Sequence, residues 1–218
     1  MTGNAANESA CGHAYEYIKS QVIAYQFKPG HRIYLEPLAT QLGMSTTPVR
    51  NALNRLVDEG LVIRAPRRGF IAMTLSECEV QEQYARTRTV LTDAFATINP
   101  EIRLSMPMCE PIADVLRKLS RKRPLEANAL ANYTGETFLQ LATLTKDTQV
   151  ISAISSANDK LFYVRTLECR LLDNARDELA CLCELLLAGR CEQLSKAILD
   201  YHDRRLSLLP IVLEVSQR

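Results

Sequence analysis

Residues 35–60 read LEPLATQLGMSTTPVRNALNRLVDEG, two short helical patterns joined by a tight turn. In the second, Ser45 stands at the N-cap position and Pro48 falls in the first turn, where a missing backbone N–H costs nothing. Val49, Ala52, Leu53, Leu56 and Val57 then recur at helical spacing and form one apolar stripe. The opposite face carries Thr46, Thr47, Arg50, Asn51, Asn54 and Arg55, side chains that donate to phosphates and base edges. The first pattern places Leu35, Leu38, Ala39 and Leu42 inward, and Gly43 makes the turn. The spacing predicts a helix-turn-helix with the second helix offered to a DNA major groove.

Working outward, residues 1–12 are small and polar and read as a disordered lead. An amphipathic helix follows from His13 to about Tyr25, ended by the Phe-Lys-Pro-Gly of residues 27–30. His31–Tyr34 is a short extended piece whose Arg32 either reaches a phosphate or lies over the core. After Gly60, two short apolar runs flank a basic turn, Arg67-Arg68-Gly69, predicting a β-hairpin. A hairpin directly after a recognition helix is a wing, and its tip would carry Arg67 and Arg68 to a phosphate backbone or a minor groove.

These residues resemble a family. Tyr-Gln-Phe-Lys-Pro-Gly-His-Arg-Ile, Leu-Ala-Thr-Gln-Leu-Gly-Met-Ser-Thr-Thr-Pro-Val-Arg, Glu-Gly-Leu-Val and Arg-Arg-Gly-Phe recur in the order seen in the DNA-binding domain of GntR-type bacterial transcription regulators. Two positions depart from the family's usual residues, Thr46 in place of Arg and Asn51 in place of Glu, and they bear on the operator rather than the fold.

Beyond Met73 only helical patterns occur. Ser76 and Glu79 form a capping box for a helix to about Ile98. Further helices are predicted over residues 111–119, 125–144, 148–172, 177–187 and 191–215, the last interrupted at Pro210. The fold class is therefore mainly α: a winged helix-turn-helix of three helices plus a hairpin (13–73), then an all-helical bundle (74–218). That order of elements, with the Leu-Leu-Ala-Gly turn at 186–189, resembles the effector and dimerisation domain of the FadR subgroup.

The net charge of +1 hides an asymmetry: residues 1–73 hold eight Lys and Arg against five Asp and Glu, or +3, leaving −2 for the rest. Polyanion binding therefore belongs to the N-terminal third. No apolar run approaches the roughly 18 residues of a membrane span, and no signal peptide opens the chain. Seven cysteines without a framework fit reduced thiols. A cytoplasmic protein without membrane attachment is expected.

Many FadR-type domains hold a divalent metal through an Asp, a His four residues later and two further His. The resemblance lays that set on Gly135, Leu139, Leu179 and Tyr201, with His202 one residue away, so no metal or other cofactor is expected. Arg88 matches an arginine of the family's first effector helix, and Arg165 sits on an apolar helix among Leu161, Tyr163 and Val164. Each needs a partner, either a carboxylate such as Glu136 or a bound organic acid. Arg88, Glu136, Arg165, Tyr201 and His202 are thus the candidate ligand residues. Cys181, Cys183 and Cys191 read as small buried hydrophobes, because a Cys-X-Cys pair on a helix points its thiols apart. The basic run of residues 117–123 reads as a solvated helix end.

No catalytic constellation stands out, so an enzyme is not expected. The expectation is a regulator that binds double-stranded operator DNA as a homodimer, since one recognition helix covers too few base pairs, and that answers to a small organic effector. The rival reading is a constitutive DNA-binding oligomer without effector, whose second domain would have a closed apolar core.

Overall fold

The computed structural model describes residues 3–66, 69–74, 76–96, 109–121 and 123–216. Within them the chain divides into two compact units, residues 1–75 and 76–218.

The N-terminal unit contains α1 (Gly3–Ile23), β1 (Arg32–Ile33), α2 (Leu35–Leu42), α3 (Thr46–Asp58), β2 (Val62–Ala65) and β3 (Gly69–Ala72). Helix α1 begins at Gly3 and not at His13, so the lead expected to be disordered is helical over residues 3–12. Three alanines, Ala5, Ala6 and Ala10, favour the helix there, against two glycines and two asparagines, and packing fixes it further on. That packing starts at Ala14 and runs through Tyr15, Ile18 and Val22.

Helix α3 behaves as its spacing dictates, with Val49, Ala52, Leu53 and Leu56 all fully buried. Gly43 ends α2 with φ 63°, and its N–H bonds the Ala39 and Thr40 carbonyls, a left-handed turn that glycine adopts without strain. The hairpin gains a third strand: β1 pairs with β3 through Arg32↔Ile71 and Ile33↔Phe70, giving the order β1-β3-β2.

The C-terminal unit contains α4 (Glu77–Ala96), α5 (Glu110–Leu119), α6 (Ala127–Leu144), α7 (Thr148–Leu171), α8 (Ala175–Leu187) and α9 (Cys191–Ser216). The capping box forms: the Ser76 N–H donates to Glu79 at 2.7 Å and the Glu79 N–H to the Ser76 hydroxyl at 3.3 Å. The expected end of α4 at Ile98 lies outside the described residues. Helix α9 runs unbroken through Pro210, against the expected interruption. Pro210 is exposed, while Leu209 and Val212 beside it are buried, so core packing on both sides outweighs one missing backbone bond. Gly189, with φ 64°, closes α8.

Candidate nucleic-acid interface and buried polar cluster

Ser45, Thr47, Arg50 and Asn51 are exposed at and just beyond the start of α3, and Thr46 is half-buried. Ser45 occupies the N-cap position, but its hydroxyl makes no capping hydrogen bond. The first N–H groups of α3 therefore have no side-chain cap and, with the helix dipole, favour a phosphate. Arg55, lower on the same face, is turned to the fold: its guanidinium lies 3.6 Å from the Tyr15 ring centre and its Nε donates to Glu59 at 3.1 Å. Tyr15 also donates to Glu59, at 2.8 Å. Together these contacts fasten α1 to the C-terminal end of α3.

The strands are tied to the same surface. Arg64 of β2 donates to Asn54 of α3 at 2.8 Å, so Asn54, expected to face DNA, also braces the hairpin. Arg32 is exposed, stacks 5.2 Å from the Tyr34 ring and lies beside Gly69 at the hairpin's far strand. Arg32, Gly69 and the polar start of α3 thus belong to one small unit. Arg67 and Arg68 lie outside the described residues. Arg64, missed in the sequence, had a legible signal: a cation on a two-residue alternation inside a predicted strand.

In the helical unit the interior is not purely apolar. Arg165, Glu168, His202 and Arg205 are 1%, 1%, 0% and 3% exposed. Arg205 of α9 faces two carboxylates, Glu168 at 3.4 Å and Glu178 at 2.5 Å, and stacks 4.0 Å from the Tyr201 ring. Tyr84 of α4 donates to both oxygens of Glu168 at 2.7 and 2.8 Å. Burial pushes the Glu168 carboxyl up to about 7, against the pull of Arg205 and Tyr84. Burial likewise pushes Tyr201 up to about 12 and His202 down to about 4. His202 is therefore neutral at neutral pH.

Arg165 has a different environment. Its Nη1 donates to Asn158 at 2.7 Å, Asn158 in turn donates to the Gly135 carbonyl at 2.8 Å, and the guanidinium sits 5.3 Å from the Phe138 ring centre. Its Nε and Nη2 have no hydrogen-bond partner among the described residues, and neither has His202 Nε2. Tyr201 and His202 lie 5.0 and 5.5 Å from that same Phe138 ring.

The candidate ligand residues therefore separate. Arg165, Tyr201 and His202 converge, whereas Arg88 is half-exposed and paired with Asp203 at 2.6 Å, and Glu136 is exposed. The carboxylate expected for either arginine is not Glu136. Tyr84, Asn158, Glu168 and Arg205 were not anticipated. Glu168 and Arg205 could have been, since each interrupts a helix's apolar stripe: Leu161, Val164, Glu168 on α7 and Leu194, Ile198, Tyr201, Arg205, Leu209 on α9.

A metal does not fit here. Gly135, Leu139 and Leu179, on which the resemblance lays metal ligands, offer no donor side chain, and a β-carbon at Gly135 would lie 3.7 Å from Nη1 of Arg165. Among the described residues no group of three or more His, Cys, Asp and Glu is placed to hold a metal ion. Of the clustered cysteines, Cys183 and Cys191 are buried, but Cys181 is exposed, a correction that follows from the roughly 200° its side chain turns away from Cys183. The basic run is a helix end as read: Arg117 pairs with Glu110, Lys118 with Asp114, and Arg176 donates to the carbonyls of Leu119, Arg121 and Arg123. No helix among the described residues is long and apolar enough to cross a membrane.

Against known proteins, residues 11–71 match the family of bacterial regulatory proteins described as the gntR family. The Nta operon transcriptional regulator of Aminobacter aminovorans is 25% identical over 146 residues, 67% of this chain and 69% of that protein. An HTH-type transcriptional regulator of Agrobacterium vitis is 39% identical over 74 residues, 34% of this chain and 43% of that protein. Among solved structures, a transcriptional regulator GntR from Rhodococcus sp. RHA1 matches with TM-score 0.72 at 17% identity, covering 92% of this chain and 97% of that one, a likeness of fold.

Proposed function

We infer the protein's role from what residues 11–71 are, a helix-turn-helix domain of the gntR family of bacterial regulatory proteins. The domain is a DNA-binding module of a transcriptional regulator, and the reading proposed for the whole chain is a cytoplasmic homodimer that binds operator DNA and answers to a small organic anion. The observation that carries the DNA-binding half is the exposed polar start of α3, where Arg50 stands beside Ser45, Thr47 and Asn51 with an uncapped helix N-terminus behind it. Dimerisation is argued from need: one recognition helix reads only a few base pairs, and specific affinity requires a two-fold pair of half-sites. The sensing half rests on Arg165, a buried guanidinium whose Nε and Nη2 have no hydrogen-bond partner among the described residues, donors that are expensive to leave bare unless an acceptor arrives.

Mapping genomic DNA bound by the protein, followed by mobility shifts on the recovered site, tests the first half. Arg50→Ala should abolish specific binding while circular dichroism stays unchanged, because Arg50 lies opposite the buried Val49, Leu53 and Leu56. A folded Arg50→Ala protein with undiminished operator affinity would sink the docking. Arg67→Ala and Arg68→Ala are expected to weaken all sequences about equally and to lower the salt slope by about one for each phosphate no longer neutralised. Loss of sequence preference alone would mean that the wing reads bases. Sedimentation at micromolar concentration is expected to give a dimer, and a monomer would remove the two-fold model.

A further inference from the structure

Two asparagines share the polar face of α3, and only one of them is held by the fold. Resting on the operator-binding reading above, we propose that Arg64 is a positioning residue for base recognition: by engaging the Asn54 carbonyl it makes Asn54 a hydrogen donor that selects guanine in the major groove, while the free amide of Asn51 selects adenine.

Thr47, Arg50, Asn51 and Asn54 are spaced i, i+3, i+4 and i+7, away from the buried Val49, Ala52, Leu53 and Leu56. Asn51 is exposed and makes no hydrogen bond among the described residues. A free carboxamide carries an acceptor and a donor side by side, the complement of the N6 amino group and N7 on the major-groove edge of adenine.

Asn54 is half-buried and differs. Nη1 of Arg64 donates to its Oδ1 at 2.8 Å. A guanidinium has hydrogens and no acceptor, so only the oxygen end of the amide can face it. Arg64 is itself anchored: it stands opposite Phe70 in the β2–β3 ladder, and its guanidinium lies 5.7 Å from the centre of that ring. The Nδ2 hydrogens of Asn54 have no partner among the described residues.

The preferred base follows from that asymmetry. Oδ1 keeps a second lone pair, but the cation on the first weakens it as an acceptor. The amino hydrogens of adenine or cytosine, brought to that oxygen, would meet the positive charge of Arg64. Guanine presents two acceptors in the major groove, O6 and N7, and no amino group. Both the Nδ2 hydrogens and the nearby guanidinium therefore favour it. Thymine, with one acceptor and a methyl group, ranks behind.

The experiment selects binding sites for the full chain from a pool of random duplex DNA and sequences the enriched sites. Wild type is compared with Asn51→Ala, Asn54→Asp, Arg64→Met and Arg64→Lys, each checked for folding by circular dichroism. Asn51→Ala should erase a preference for adenine at one position. At a second position wild type should favour guanine. There Asn54→Asp, which still gives Arg64 a partner but has no hydrogen to donate, should exchange guanine for cytosine, whose N4 amino group donates to a carboxylate. Arg64→Met frees the Asn54 amide and should raise adenine relative to guanine at that second position by about fivefold or more, the worth of one hydrogen bond. Arg64→Lys, which puts back a cationic donor, should return guanine. A purely structural brace would change overall affinity and leave these preferences alone. An Arg64→Met protein that folds and keeps the wild-type preference everywhere overturns the positioning role. Should it not fold, wild type is titrated with a site carrying 7-deazaguanine at the second position. Binding about fivefold weaker is then expected, and equal binding overturns the guanine contact. If Asn54→Asp weakens every enriched site without changing a base, Asn54 lies on a phosphate and the inference fails while the operator reading stands. A wild-type protein that enriches no sequence removes the operator reading, and the inference with it.

Discussion

A β-carbon added at Gly135 would lie 3.5 Å from the Asn158 side chain and 3.7 Å from Nη1 of Arg165, ordinary van der Waals distances. Gly135 lies inside α6, where glycine costs about 1 kcal/mol relative to alanine. Gly135→Ala should therefore stabilise the fold by roughly that amount in urea titrations. Gly135→Asp separates helix propensity from charge. Aspartate is the poorer helix former, yet its carboxylate would stand beside a guanidinium with two nitrogens unpartnered among the described residues, so the Asp variant should be at least as stable as the Ala variant. It should also bind added acids more weakly than wild type, having supplied the anion itself. An Asp variant clearly less stable than the Ala variant would show that Arg165 is not short of a negative partner.

At the scale of the element, α9 carries both the site and its own flaw. Leu194, Ile198, Tyr201, His202, Arg205, Leu209 and Val212 are buried along one face, so the helix supplies the hydrophobic stripe and three of the cluster's polar or aromatic groups together. Pro210 deprives the Leu206 carbonyl of its intrahelical donor. Pro210→Ala should restore that bond and stabilise the protein by about 1–3 kcal/mol, raising the urea midpoint with an unchanged slope. A neutral or destabilising result would mean that Pro210 itself is needed to seat Leu209 and Val212. In the N-terminal unit the comparable economy is in α3, whose one face is core while its other face offers Arg50 and Asn51 outward.

Across the whole molecule, the buried titrating groups set opposing pH slopes. Glu168, raised from 4.5 to about 7, holds a proton in the folded chain that the unfolded chain has released between those values, so its contribution to stability falls as pH rises through that window. His202, lowered from 6.5 to about 4, does the reverse, its contribution rising with pH between 4 and 6.5. Glu168→Gln removes the first effect only. The stability of that variant relative to wild type should climb between pH 4.5 and 7, by on the order of 2–3 kcal/mol, in chemical denaturation run at a series of pH values. A relative stability that stays level would place Glu168 in a wetter site. The sequence by itself determined the helix-turn-helix, the wing, the capping box at Ser76 and the succession of helices, because each is written in local terms: a 3.6-residue period, a glycine at positive φ, a cap three residues from its partner. It also carried the likeness of residues 11–71 to gntR-family regulators. Tertiary structure alone decided that Arg88 pairs with Asp203, that Glu136 is exposed, that Arg205 takes Glu168 and Glu178, and that Nε and Nη2 of Arg165 have no hydrogen-bond partner among the described residues. These partners come from different helices, up to 115 residues apart for Arg88 and Asp203, and no spacing along one helix fixes which charges meet when several helices close on a common interior.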